Sequence, residues 1–206
     1  MRFPKGYAGV NKLFASEIIN IFSSVMFFVA SVFAVFSSQK IVNPQYLPII
    51  VIPLIASGLM SVVAFILQLV GLGQAKKDDQ MFKTAFAFVF VGVAASVVSF
   101  MSGGTLSNIF SNISEVSSLI VSVYTILGIY NFAEKMDNAS IMLNAKITII
   151  IGASAFAVAV ILRMVPVFFP RTEYMLDLFV SVTELTAYII FLICLGRARG
   201  MLAEKK

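Results

Sequence analysis

The chain has 206 residues, of which 60% are apolar and 12% are charged, and its mean hydropathy is +0.98. Soluble domains contain roughly 45–50% apolar and about 25% charged residues, so this composition excludes a soluble fold. Histidine is absent and Cys194 is the single cysteine, which excludes Ser-His catalysis, zinc centres, histidine-ligated haem and disulfide exchange. We therefore expect no enzymatic activity, no cofactor and no bound metal.

Six segments are apolar over about the 20 residues that a helix needs to cross a bilayer. In chain order they cover residues 13–36, 47–72, 84–101, 109–132, 147–169 and 175–195. Their apolar runs are continuous rather than alternating, a pattern that indicates helices and not barrel strands. The sequence thus predicts an all-α, polytopic integral membrane protein, with residues 1–206 forming a single transmembrane domain built as a bundle of six helices.

The basic residues are concentrated on one predicted side of the membrane. That side carries Arg2, Lys5, Lys12, Lys76, Lys77, Lys83, Lys135, Lys146, Arg197, Arg199, Lys205 and Lys206, and the loops of the other side carry Lys40 and Arg171. Because short loops rich in Lys and Arg stay cytoplasmic, we predict a plasma membrane protein with both termini in the cytoplasm. Topology and attraction to anionic lipid headgroups explain the net charge of +5, and no basic cluster is suited to nucleic acid.

The second, fourth and sixth segments end in a similar way. Gly71, Gly128 and Gly196 each stand shortly before a polar stretch that contains lysine, and residues 110–115 resemble residues 179–184. One explanation is that three diverged helical hairpins repeat along the chain. The alternative is that glycine commonly ends a helix and lysine commonly follows it in membrane proteins.

Polar residues in two of the segments recur at intervals of three and four, which places them on one helix face. In the fourth segment they form a polar seam of Asn108, Ser111, Glu115, Ser118, Ser122 and Thr125, and in the sixth they are Asp177, Ser181, Glu184 and Tyr188. Hydroxyl residues alone are explained by close helix packing. An acid inside the membrane costs roughly 2.5–3.5 kcal/mol and avoids lipid, so Glu115 and Glu184 indicate a polar interior.

The candidate site for a solute or ion combines these acids with neighbouring polar residues: Glu115, Glu184, Arg163, Ser118, Ser181 and Tyr188. Arg163 is expected to pair with Glu184, and Glu115 is expected nearby. Net negative charge would favour a cation or a proton, whereas complete pairing would make the cluster purely architectural. Glu17 is expected to form a structural or gating salt bridge with Lys12 or Lys146.

Two shorter patterns have structural explanations. The small residues Gly152 and Ala155 allow tight packing, so the fifth helix is expected to be scaffold rather than cavity lining. Asp78 and Asp79 follow two lysines in a short loop, where a solvated helix cap explains them better than a metal site.

Two functions from different classes fit these features. The first is a transporter or channel for a small solute or cation, or its membrane subunit, with a carboxylate-containing cavity in the outer half of the bundle. The second is a membrane sensor, assembly or interaction protein whose buried charges are structural. A cavity that touches both Glu115 and Glu184 would favour the first, and a dry salt-bridge network the second. The expected partners are the bilayer and a small cationic or polar solute, and a homo-oligomer or larger membrane complex stays open.

Overall fold

A computed structural model describes residues 3–38, 47–168 and 173–203, which form six α-helices. The helices are α1 (Pro4–Ser38), α2 (Leu47–Ala75), α3 (Gln80–Met101), α4 (Gly104–Lys135), α5 (Ala139–Phe168) and α6 (Glu173–Ala203). All six are long and apolar enough to cross a membrane. Most extend beyond the predicted segments, because hydropathy detects the apolar part of a helix and not the polar turns that continue it.

Helices that are adjacent in sequence pack as antiparallel pairs. Along α1 and α2, Ser16 donates a hydrogen bond to the backbone oxygen of Ala64 at 2.7 Å, and Ser23 donates to that of Ser57 at 2.9 Å. The most extensive pairings are α1 with α2, α3 with α4, and α5 with α6. Further contacts join α2 to α3, α4 to α5 and α6 to α1, so the six helices form a closed ring, and α4 also touches α6.

One end of the ring carries both described chain ends and the two turns around residues 76–79 and 136–138, and we call it the terminal end. The hydrophobic core lies there. Phe132 is central to it, with ring centroids 5.5 Å from Phe82 and 5.1 Å from Phe3. Further fully buried core residues come from α2, α4 and α6: Leu72, Ile129 and Leu195. The terminal end is therefore filled by side chains.

Polar contacts also tie the terminal end together. Asp79 caps α3, since its carboxylate accepts a hydrogen bond from the Met81 amide at 2.9 Å, and it forms a 3.1 Å ion pair with Lys135. Asp78 accepts a hydrogen bond from the Gly6 amide at 2.6 Å. The predicted cap is present, but it is not solvated, because Asp79 is only 7% exposed.

The outward faces of the helices are apolar. Exposed large residues occur along every helix, including Phe28 on α1, Leu59 on α2, Phe90 on α3, Ile150 on α5 and Leu185 on α6. Lipid is the solvent in which such a surface is stable, since water would penalise so much exposed apolar area. These faces match the membrane protein that the composition predicts.

Candidate functional site

The polar seam of α4 borders a groove that also reaches α5 and α6. This carboxylate groove has a volume of about 440 Å³ and contains both predicted acids, Glu115 from α4 and Glu184 from α6. Its remaining lining comes from three serines of α4 and from apolar residues: Ser114, Ser118, Ser122, Leu119, Phe156, Ala159 and Val160. Both acids are exposed rather than sealed in the protein interior. The structure thus brings together the two acids that the helical spacing singled out.

A second space, the deep cavity, continues from the groove toward the terminal end. It has a volume of about 240 Å³ and shares Leu119, Ser122, Phe156 and Glu184 with the groove. Its other lining residues come from α1, α4, α5 and α6: Glu17, Val123, Ile126, Thr148, Ile149, Gly152, Ala155, Ala187, Tyr188 and Phe191. Ile126 also belongs to the hydrophobic core, so the floor of the cavity is the top of the packed terminal end.

Glu17 lies in this cavity and has a different partner from the one the sequence predicted. The residue is 9% exposed, and its carboxylate accepts a 2.8 Å hydrogen bond from the hydroxyl of Tyr188. That hydroxyl also lies 3.1 Å from the backbone oxygen of Glu17. Among the residues that the structure describes, Glu17 forms no ion pair, and Lys146 instead lies over the ring of Tyr130.

The predicted salt bridge between Glu17 and Lys12 is absent for a geometric reason. Five residues along a helix of 3.6 residues per turn rotate a side chain by roughly 140° beyond one full turn. The two side chains therefore leave α1 on nearly opposite faces. Tyr188, predicted as part of the site around Glu184, lines the deep cavity together with Glu184 and also links α6 to α1 through Glu17.

The predicted hydroxyl residues have separate local roles. Ser118 and Ser122 line the carboxylate groove and donate hydrogen bonds, each at 3.1 Å, to backbone oxygens of their own helix. Back-bonding of this kind satisfies the hydroxyl donor and leaves oxygen lone pairs for a solute. Ser181 is exposed on α6, outside the described lining of both cavities. The side chain of Arg163 is outside the described part of the structure, and so is its predicted pairing with Glu184.

Beside the seam, two further serines of α4, Ser107 and Ser114, contact α3. Ser96 and Ser114 are 2.7 Å apart through their hydroxyls, and Ser107 donates a 3.0 Å hydrogen bond to the Ser99 backbone oxygen. Two further hollows of about 350 and 470 Å³ border these contacts, and each is lined by Ser96 and Ser114. The serines of α4 consequently serve both as helix clamps and as cavity lining.

Several lining residues of the deep cavity were not predicted as site residues from the sequence. Gly152 and Ala155 were expected to be scaffold, yet they line the deep cavity, and no atom lies within 4 Å of a Cβ added at Gly152. Thr148, Gly152 and Ala155 follow four-three spacing, the same signal that identified the α4 seam. Helical spacing does not identify Phe156 and Phe191 as cavity-lining residues, because phenylalanines that face lipid occur at the same intervals along a helix.

The arrangement of acids, hydroxyls and aromatic rings can be compared with known proteins. No protein family, curated protein or solved structure matches this chain. Within the described residues, no group of three or more His, Cys, Asp and Glu side chains is placed to hold a metal ion. The geometry of the carboxylate groove and the deep cavity is therefore the basis for the function proposed below.

Proposed function

We propose that this chain is a transporter for a small, positively charged solute in the plasma membrane. The supporting observation is the shared lining of the carboxylate groove and the deep cavity, which connects Glu115 through Glu184 to Glu17. An acid in a membrane helix is costly, and it typically marks a solute or ion pathway when it faces an internal cavity. The packed terminal end closes this pathway at one side, as expected of one state of a transporter.

The charge of the lining favours a cation. Three carboxylates border the two cavities, those of Glu115, Glu184 and Glu17. The surrounding walls are mainly apolar, so the field of a charged carboxylate is weakly screened there. A cation that enters the groove is thus attracted toward the deep cavity.

The proposed orientation follows from the basic residues. Lys5, Lys12, Lys76, Lys77, Lys83, Lys135, Lys146, Arg197 and Arg199 lie on helix segments or turns near the terminal end. The preference of such residues for the cytoplasm puts the terminal end, with both chain termini, on the cytoplasmic side. The carboxylate groove then belongs to the outer half of the membrane, and the closed core separates it from the cytoplasm.

The alternative from the sequence is a sensor or assembly protein in which the acids only lock helices together. A dry network that seals the acids would favour that function. The exposure of Glu115 and Glu184 on the wall of a shared groove favours transport instead.

The test is flux into proteoliposomes that contain the purified chain, across a panel of inorganic cations and organic amines. We expect uptake of at least one cation, and about a tenfold or greater loss in Glu115→Gln and in Glu184→Gln, since each variant removes an attractive charge from the pathway. Glu134→Gln is the matched control, because Glu134 is an exposed acid of the same helix at the terminal end. The sensor or assembly function would be favoured if no cation of the panel is transported and if Glu115→Gln and Glu184→Gln change only the stability of the protein.

A further inference from the structure

The deep cavity combines a buried carboxylate with aromatic rings, a lining that the carboxylate groove lacks. We propose that it is a binding site for organic ammonium cations that carry one aromatic or similarly sized apolar group. Glu17 is the charge partner in this site, and Tyr188 is the positioning residue that holds its carboxylate. The inference rests on the proposed transport function and names its substrate class.

The acid Glu17 lies inside the protein without a basic neighbour. The residue is 9% exposed, its hydrogen-bond donors Tyr188 and Asn20 are neutral, and no basic residue among those described forms an ion pair with it. A buried carboxylate without a cationic partner is costly, because the desolvation penalty is only partly offset by a neutral donor. An ammonium ion in the cavity would supply the missing charge.

The walls of the deep cavity suit an organic cation. Phe156, Phe191 and the ring of Tyr188 line the cavity together with aliphatic residues of α4 and α5. Hard metal cations require several oxygen ligands that converge on one point, and no three acidic, His or Cys side chains among the described residues are placed together to hold such an ion. An organic ammonium is instead stabilised by the faces of aromatic rings, and its apolar group gains from leaving water. The lining therefore favours an organic cation over sodium, potassium or a divalent ion.

The volume of the deep cavity limits the size of its ligand. The cavity measures about 240 Å³, whereas an apolar protein cavity of about 150 Å³ is enough to bind benzene. One aromatic ring therefore fits the cavity, and the remaining volume accommodates a small ammonium group. Three-ring cations do not fit unless the helices separate.

Gly152 provides a way to test occupancy without touching a charged residue. It lines the cavity, and no atom lies within 4 Å of a Cβ at this position, so a larger side chain can project into the empty space. Gly200 also has nothing within 4 Å, but it lies near the end of α6 and outside the cavity. Gly152→Leu and Gly200→Leu are thus matched substitutions that differ in whether they fill the site.

The experiment is equilibrium binding of radiolabelled benzyltrimethylammonium to the purified full-length chain in detergent micelles. Benzenesulfonate, which has the same ring and the opposite charge, and sodium serve as comparison ligands. We expect saturable binding of benzyltrimethylammonium alone. Glu17→Gln should weaken it by about thirtyfold or more, as for other desolvated charge pairs. Gly152→Leu should abolish binding, Gly200→Leu should leave it unchanged, and Tyr188→Phe should weaken it by less than Glu17→Gln does.

Two outcomes would overturn this inference. Equal affinity of Glu17→Gln and the unaltered chain would remove Glu17 from the site, and unchanged binding in Gly152→Leu would place the ligand elsewhere. The binding assay is read separately from flux in proteoliposomes. Flux of an inorganic cation without binding of the organic probe would contradict the substrate class and leave the transport function standing, whereas absence of all cation flux would contradict the transport function.

Discussion

At the scale of single residues, Asp79 links two helices at the terminal end of the ring. Its carboxylate caps α3 through the Met81 amide and accepts hydrogen bonds from the amide of Asn131, at 3.1–3.2 Å, and from Lys135 on α4. The side chain of Asp79 is 4% exposed, whereas that of Lys135 is 45% exposed. The hydrogen bonds inside the protein should therefore contribute more to stability than the partly solvated ion pair.

We expect Asp79→Ala to lower the free energy of unfolding by about 2–3 kcal/mol, because it removes a helix cap and leaves the Asn131 amide without this acceptor. Lys135→Met should cost less than about 1 kcal/mol, since an exposed ion pair is weak. Reversible denaturation in mixed detergent micelles measures both values. Equal losses in the two variants would show that the ion pair, and not the cap, is the main contribution.

At the scale of helices, glycine determines how closely α1 approaches α2. A Cβ at Gly9 would lie 2.6 Å from the backbone oxygen of Gly71 and 2.7 Å from the backbone nitrogen of Ala75. Backbone atoms of two packed helices cannot move aside as a flexible side chain can. This contact fixes the spacing of the helix pair, as small residues commonly do in membrane proteins.

We predict that Gly9→Ala lowers the free energy of unfolding by about 1–3 kcal/mol, since the two helices must separate to accept the methyl group. Gly73→Ala is the matched control, because its added Cβ would meet only the ring of Phe86 at 3.7 Å, an ordinary contact. That variant should be neutral or more stable by up to about 1 kcal/mol through helix propensity. Denaturation in the same micelles checks the pair, and a harmless Gly9→Ala would refute the close contact.

The turn between α4 and α5 has residues that suit its backbone conformation. Asp137 has a φ of 55°, and the amides of Asp137 and Asn138 bond to the oxygens of Glu134 and Ala133. This is a Schellman ending, and Asp is one of the few residues apart from glycine that tolerate the left-handed conformation. Asn138 then accepts a hydrogen bond from the Ile141 amide at 3.1 Å, so α5 begins immediately.

At the scale of the whole molecule, the ring is filled at one end and hollow further along. Core residues come from the segments of all six helices that lie near the terminal end, while the carboxylate groove and deep cavity lie beyond them. The direction in which the hollow part opens depends on the orientation of the chain in the bilayer.

That orientation can be measured by cysteine labelling in a Cys194→Ala background. Lys77, in the turn at the terminal end, and Gly103, in the turn between α3 and α4, are both exposed and are replaced singly by cysteine. With the terminal end in the cytoplasm, a membrane-impermeant maleimide should label Gly103→Cys on intact cells and Lys77→Cys only after permeabilisation. The reverse pattern would invert the proposed topology, and labelling of both variants in permeabilised cells controls for reactivity.

Much of the fold was predictable because its signals are local. Six apolar segments produced six helices, including the short third one, and four-three spacing brought Glu115, Ser118 and Ser122 into one groove with Glu184. The predicted salt bridge of Glu17 with a lysine was wrong. Its carboxylate is bound by the Tyr188 hydroxyl of another helix, and sequence proximity does not reveal such a contact. The repeat of three hairpins stays a prediction, although Gly71 and Gly128 both contact the preceding helix of their hairpin.

By itself, the sequence determined the class of protein, the number of helices and the polar face of α4, since hydropathy and helical periodicity act over about 20 neighbouring residues. Only the tertiary structure decided that Glu17 meets Tyr188 across 171 positions, that Gly152 borders empty space, and that the ring is closed at the terminal end. These features depend on how side chains from different helices fill the space between them. Such packing leaves no periodic pattern in the chain, because each contact joins residues far apart in sequence.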